Sequence, residues 1–286
     1  MRLPSRVLVP AVLGALLTGA TACAQSTPTP QQREGKPALG RTVPPAAARP
    51  TTRSAAAQSL TRDTVPAPGS MPASAFPRPA RAVATIVAPR WTNEDDRDDA
   101  HEAERVMALV GVKPGMRIAD IGAGDGYYVV RLSARVGPTG VVYGEDIVPQ
   151  YLELLRARVA RQALSNVRVV FGRPHDPQLP AGSIDAALLI HMYHEIEQPF
   201  GLLYHLIPAL VPGGRIAVLD LDRPTWGHGT PPALLRCELG ALGFREVAWE
   251  WLRDGEYVAL FEAPPVSRRP TPEELRTRLS RSPCLP

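Results

Sequence analysis

Cysteine is scarce in this chain. There are three in 286 residues, Cys23, Cys237 and Cys284. Three cysteines build no disulfide framework, and their spacings match no metal-ligand cluster. Cys237 is read as a core residue of an apolar helix and Cys284 as an exposed residue near the end. Long hydrophobic runs are also missing, and the longest apolar stretch, Val7 to Ala20, is too short to cross a bilayer comfortably. From Gln25 to about Arg90 large apolar residues almost disappear, leaving Pro, Ala, Ser, Thr and Arg. Such a composition buries too little surface to offset chain entropy, so residues 25–90 are expected to be a disordered linker. The Pro- and Arg-rich stretch 264–286 is expected to be a disordered tail. One globular domain remains between them, 91–263, an ordinary size for a single core. A basic excess is missing from that domain too. Through Arg90 the chain has eleven basic residues against two acidic, a balance of +9, while the remainder has 21 basic against 26 acidic, a balance of −5. The pI of 9.2 therefore describes the N-terminal segment, and no nucleic-acid groove is expected on the fold. The arginines of that segment suit contact with anionic lipid or cell-wall polymer, and a soluble spacer is the plainer reading.

The first 24 residues have the three-part layout of an export signal. Arg2 and Arg6 form the positive region, Val7 to Ala20 the apolar region, and Ala20-Thr21-Ala22 or Ala22-Cys23-Ala24 the small residues of a cleavage site. An uncleaved anchor is one alternative. Lipid attachment at Cys23 is another, although Ala20 stands where lipoprotein signals usually carry leucine. The mature protein is thus expected outside the cytoplasmic membrane, periplasmic or extracellular, with tethering through its N-terminus open.

Residues Arg117 to Tyr128 organise the rest: a short apolar run closed by Asp120, then Gly122, Ala123, Gly124, Asp125 and Gly126, then the start of an amphipathic segment. This reads as strand, tight turn and helix. Glycines suit a turn in which a ligand approaches the backbone and some φ/ψ values are open only to glycine. A dinucleotide fingerprint places its third glycine three residues after the second, whereas Gly126 follows Gly124 by two. With Asp120 before the loop and Asp125 inside it, the tighter spacing suits a ligand carrying a cationic amino group and no phosphate. The pattern resembles motif I of class I S-adenosylmethionine-dependent methyltransferases.

The flanking segments extend the resemblance from Val106 to Glu262. An acid-rich start, Glu94 to Asp99, leads into helical spacing at Ala103, Val106, Met107 and Val110, with Asn93 as cap. A dipole-matched helix start is a better reading of those acids than a metal site. Val141 to Ile147 reads as a second strand, Val167 to Phe171 as a third and Ile184 to Ile190 as a fourth. Leu202 to Leu210 reads as a helix, Val211 to Arg215 as a turn and Ile216 to Leu219 as a strand. A helix over Pro231 to Leu242 follows, then strands Glu246 to Trp251 and Tyr257 to Phe261, joined at Asp254-Gly255, a strong hairpin signal. The fold class expected is α/β: a Rossmann-like, doubly wound, mostly parallel seven-stranded sheet with a C-terminal antiparallel hairpin, which is the class I methyltransferase fold.

The resemblance implies S-adenosylmethionine as cofactor. Asp120, Gly122, Ala123, Gly124, Asp125 and Gly126 would hold its amino-acid end, Asp146 rather than Glu145 its ribose, and Ile147 would adjoin it. Arg173 stands where many members have an acid beside adenine, and Asp176 is offered instead. After the fourth strand comes His191-Met192-Tyr193-His194-Glu195. His194 is the candidate base, with Tyr193 and His191 as neighbours, and no metal is expected because no third ligand is evident. The acceptor is expected to be a small molecule, since no Asn-Pro-Pro-Tyr motif, cleft cysteine or separate substrate domain is present. Two other functions stand beside methyl transfer: a nicotinamide-dependent oxidoreductase, against which the glycine spacing and the hairpin argue, and a non-catalytic binding module of the cell envelope, to which the leader lends weight. Oligomeric state is not legible.

Overall fold

The computed structural model describes residues 70–87, 93–253 and 255–286. The expected leader 1–24 and the expected linker up to residue 69 lie outside the described residues.

Seven strands form one sheet in the order β3-β2-β1-β4-β5-β7-β6. They are β1 (Arg117–Ile121), β2 (Val141–Asp146), β3 (Val167–Phe171), β4 (Ile184–Ile190), β5 (Leu210–Leu221), β6 (Arg245–Arg253) and β7 (Glu256–Glu262). The first five run parallel, while β7 lies antiparallel between β5 and β6. The chain order reverses between β1 and β4, so the crevice for a ligand opens at the carboxyl ends of those strands. This is the expected fold class, hairpin included.

Central strands are apolar on both faces because helices cover both. Ile118, Ala186, Leu188, Ala217 and Leu219 pack toward α2 (Glu102–Val110), α3 (Tyr127–Val136) and α4 (Pro149–Arg161). Their alternates Ala119, Ala187, Leu189, Ile216 and Val218 pack toward α5 (Pro199–Leu206), α6 (Pro232–Ala241) and α7 (Pro272–Arg281). The period-2 pleat sends successive side chains to opposite cores.

Several boundaries differ from the sequence reading. The acid-rich helix is two helices, α1 (Glu94–Asp99) and α2, with His101 left-handed at the corner (φ 52°). Its acids are held by cations: Glu94 by Arg158 at 2.7 Å and Asp98 by Arg131. The expected turn at Val211 to Arg215 belongs to β5, whose pairing with β4 carries an irregularity between Ile184 and Ala186.

Two larger corrections concern the ends of the domain. Residues 70–87, assigned to the linker, pack on the fold: Phe76 joins the core, and the Arg81 guanidinium forms a fully buried ion pair with Glu238 at 2.9 Å. The expected C-terminal tail contains α7, started by a capping box in which Thr271 and Glu274 exchange hydrogen bonds, and Leu275 is fully buried. Cys284, expected to be exposed, is buried and joined to Cys237 of α6 with their Cα atoms 5.5 Å apart, the separation a disulfide requires. A short apolar anchor in a polar segment outweighs the composition around it.

Candidate functional site

The turn after β1 is built as its glycines require. Gly122, Gly124 and Gly126 have φ of 70°, 57° and 96°, values that L side chains resist. Gly126 is also closed by packing, since a Cβ there would stand 2.5 Å from Leu155 Cδ1. The Ala123 amide donates to the Glu145 carbonyl at 2.8 Å, which docks the loop against the end of β2.

Three acids converge under this loop. Asp120 at the carboxyl end of β1 is 3% exposed. Burial pushes its carboxyl up to about 7, Arg97 opposing and Asp146 adding to the rise. Asp146, also buried, accepts from the Gly124 amide at 2.9 Å and the Val148 amide at 2.8 Å. Burial raises its pKa against those amide bonds. Glu145 also reaches the loop, its Oε2 accepting from the Gly122 amide at 3.4 Å, and its Oε1 would lie 1.6 Å from a Cβ on Gly172. Burial, then the Asp146 charge, push Glu145 well above the usual carboxylate range, the Gly122 amide opposing. Both acids thus touch the glycine loop, Asp146 at Gly124 and Glu145 at Gly122, with the shorter bond at Asp146. Ile147 follows it half-buried. Asp176 is buried in the Arg173–Asp176 turn beyond β3, with one oxygen accepting from the Gln178 amide at 2.8 Å. Asp125 turns toward Arg158, whose Nη1 stands 3.8 Å from its Oδ1. Its charge is therefore shared with a cation, where the sequence reading gave it to the ligand.

A cationic amino-acid ligand fits this arrangement. Among the described residues none hydrogen-bonds the Asp120 carboxylate, which is buried at the loop of three positive-φ glycines. Cation and dipole there would meet a surplus of negative charge. A pyrophosphate would meet the same surplus and be repelled.

The three residues proposed beyond β4 separate. Tyr193 is fully buried and its hydroxyl donates to Glu238 Oε2 at 2.9 Å, so it braces the core rather than the cleft. His191, left-handed at φ 53°, turns toward α2 and β7, with Nε2 3.5 Å from Glu102 Oε2 and 3.7 Å from Glu256 Oε1. Burial pushes the Glu102 carboxyl up, but His191 and Arg97 outweigh it and hold it at about 2. His191 is therefore part of an ion network on the helical side of the sheet. His194 behaves differently. It is 4% exposed, and its Nδ1 stands 2.9 Å from Asp220 Oδ1 at the end of β5. Asp220 in turn accepts from the Leu221 amide at 2.8 Å and the Thr230 hydroxyl at 2.6 Å, and Tyr257 donates to the Thr230 carbonyl at 2.7 Å. With Nδ1 engaged, Nε2 of His194 is the nitrogen left for chemistry.

Two neighbours were given no role by the sequence reading. Glu195 is half-buried, and burial pushes it up to about 7. His228, in the loop before α6, meets the His194 ring edge-on with centroids 5.5 Å apart. The segment 70–87 closes over this end of the sheet. The Ala84 amide donates to the His194 carbonyl at 3.1 Å, the Val87 amide to Glu195 Oε1 at 3.2 Å, and Tyr151 on α4 to the Val87 carbonyl at 2.7 Å. Ile86, Val87 and Trp226 remain exposed beside it, at 42%, 37% and 70%.

Residues 118–214 match the family model described as "Methyltransferase domain". Among curated proteins, nocamycin O-methyltransferase of Saccharothrix syringae is 32% identical over 143 residues, covering 49% of this chain and 48% of that one. Demethylmenaquinone methyltransferase of a Geobacillus strain is 25% identical over 122 residues, covering 43% and 52%. The chain thus spans about half the length of these relatives. Among solved structures, a SAM dependent methyltransferase from Aquifex aeolicus superposes with a TM-score of 0.54 at 22% identity, covering 60% of this chain and 100% of that one. A protein from Bordetella parapertussis described as a possible exported protein gives 0.50 at 16%, covering 59% and 68%. Both establish the fold. Residues 118–214 thus resemble a methyltransferase domain, and the sheet that contains them has the class I methyltransferase fold.

Proposed function

We propose that the chain is an S-adenosylmethionine-dependent methyltransferase acting on a small, partly apolar acceptor outside the cytoplasmic membrane. The observation that carries the cofactor is the buried Asp120 carboxylate, which lacks a hydrogen-bond partner among the described residues and lies beside a loop open to a ligand. The cofactor supplies the methyl carbon and the leaving sulfur. Asp120 meets its ammonium and Asp146 accepts from its ribose. A methyl transfer then needs an acceptor held in line and its proton removed, and the residues built for that are His194 and its support Asp220. Ile86, Val87 and Trp226 give the acceptor end an apolar rim, which suits a ring-bearing hydroxyl compound. Nocamycin O-methyltransferase lends weight to oxygen as the accepting atom.

Export is supported by two independent features. The leader has the layout the secretion machinery reads, and the Cys237–Cys284 disulfide belongs to an oxidising compartment. Whether the mature N-terminus is lipidated Cys23 or a residue just after Ala24 is read by mass spectrometry of the native protein.

Calorimetry of the chain with S-adenosylmethionine and, separately, NAD tests the cofactor. Micromolar binding of the first and none of the second is expected, and the reverse would favour an oxidoreductase. The register on β2 is tested alongside. Asp146→Ala is expected to weaken S-adenosylmethionine binding at least tenfold, because charge-assisted hydrogen bonds contribute about 1.5–3 kcal/mol each. Glu145→Gln is expected to change it little, and a larger loss in Glu145→Gln would show that the other acid holds the ribose.

A further inference from the structure

We propose that His194, Glu195 and His228 form a divalent transition-metal site of the zinc class at the acceptor end of the cleft. One imidazole nitrogen from each histidine and one carboxylate oxygen from Glu195 lie within 4.8 Å of one another. Two imidazoles and a carboxylate are the donor set of catalytic zinc and of non-haem iron sites, where the remaining position is left for water or substrate. Ligand atoms around one such ion stand roughly 3–3.5 Å apart, given bonds of about 2.0–2.2 Å. Any contraction required would fall on Glu195 and His228, both half-exposed, rather than on buried His194.

Three further features favour a ligand set over a chance cluster. The first is behind His194. Metal-bound histidines hand their second nitrogen to a carboxylate or carbonyl, which fixes the tautomer and raises ligand basicity. His194 does this with Asp220 at 2.9 Å, and Asp220 is itself fixed by Thr230 and Leu221. The second is His228, held left-handed at φ 56°, a conformation that costs a non-glycine residue about 1 kcal/mol or more and persists where surroundings enforce it. The third is that, among the described residues, no cation is paired with Glu195. The other histidine–carboxylate group, Glu102, His191 and Glu256, has Arg97 2.6 Å from Glu102 and Arg253 2.7 Å from Glu256, so its negative charge is already matched. Among the described residues Arg81, whose guanidinium reaches the His194 carbonyl, is committed to Glu238 and to backbone carbonyls.

The ion's role rests on the methyl-transfer reading, although its binding does not. With the ion bound, His194 would serve as its ligand in place of acting as base, and an acceptor hydroxyl in the open position would lose its proton to solvent water. The oxygen lone pair then forms the C–O bond as the C–S bond breaks, and sulfur leaves with that electron pair as a neutral thioether. Glu195 also takes the Val87 amide, so the ion would sit beneath the segment that covers the site.

Cobalt(II) is the probe, titrated into metal-stripped full-length protein and followed by its visible d–d bands, with S-adenosylmethionine binding measured on the same samples. One equivalent with the intense bands of a low-coordinate site is expected. His228→Ala and Glu195→Gln should abolish it while keeping the melting temperature and S-adenosylmethionine affinity. Asp220→Asn should weaken it about 10–100-fold, and His191→Ala should leave it unchanged. No cobalt binding, or binding that survives His228→Ala and Glu195→Gln, overturns the site. Cobalt binding without S-adenosylmethionine binding would keep the site and overturn the methyl-transfer reading.

Discussion

Asp120→Asn is expected to weaken S-adenosylmethionine binding roughly ten- to hundredfold at pH 8, the loss of one charge-assisted hydrogen bond of about 1.5–3 kcal/mol, and to remove most of its pH dependence. In the unaltered protein burial holds the Asp120 carboxyl near 7, so around neutrality half of the molecules carry the wrong charge for a cation. Below that pH, affinity is expected to fall by up to about tenfold per unit, since each unit is worth about 1.4 kcal/mol. The stability of the ligand-free protein moves the opposite way. An acid whose folded pKa lies above its unfolded value of about 3.9 contributes stability that is fully present below about pH 4 and lost as pH rises through about 7. The ligand restores it by pairing with the ionised form. The rise in melting temperature on adding S-adenosylmethionine should therefore grow between pH 6 and pH 8, and in Asp120→Asn it should be smaller and nearly flat. An equal, pH-dependent shift in the variant would place the ammonium elsewhere.

The cofactor half of the site was legible because its requirements are local. Positive φ at Gly122, Gly124 and Gly126, an apolar strand before them and acids at strand ends all leave marks within thirty residues of sequence. The seven strands and their fold class followed from the same alternation of apolar runs and helices, read with the resemblance. Of the proposed acceptor half, sequence reasoning singled out only His194. Its partner Asp220 lies 26 positions away at the end of another strand, and the one clue was an acid closing the run Ile216 to Leu219. His228 sits in a glycine-flanked loop with no periodicity to mark it. Tyr193 and His191 were grouped with His194 by adjacency, yet the short helical turn after β4 sends the three side chains to the core, to the ion network and to the cleft.

Composition misled at both ends of the domain, for one reason. An average over dozens of residues hides a single anchor, and Phe76 and Arg81 on one side and Leu275 and Cys284 on the other are such anchors. The tail did carry a local signal, the capping box from Thr271 to Glu274 ahead of Leu275, which the proline and arginine content obscured. A disulfide between cysteines 47 positions apart has no signature in spacing alone, because only the packing of α7 brings Cys284 to α6.

A chain beginning at Asn93 is expected to melt on the order of 10–20 °C below one beginning at Ser70, and to lose methyl transfer even where it remains folded. Phe76 buries its ring in the core beside α5, worth about 1.5–3 kcal/mol. Arg81 pairs with Glu238 where neither side chain touches water, and removing one partner of such a pair costs about 3–5 kcal/mol. Ordering the segment offsets part of this, so a net loss of about 5 kcal/mol is expected, at roughly 2–4 °C per kcal/mol for a domain of this size. Activity suffers separately. Arg81 also donates to the carbonyls of Tyr193 at 3.3 Å and Ile196 at 3.2 Å, and Ala84 to that of His194, so the segment holds the loop that carries the acceptor-side residues. Arg81→Met in the longer chain isolates the ion pair and should reproduce about half of the loss. Adding Glu238→Leu should recover much of the melting temperature, because a buried pair exchanged for apolar side chains is often neutral, while activity stays low because the carbonyls still lack their donor. Equal melting temperatures for the two truncations would return residues 70–87 to the role of a linker.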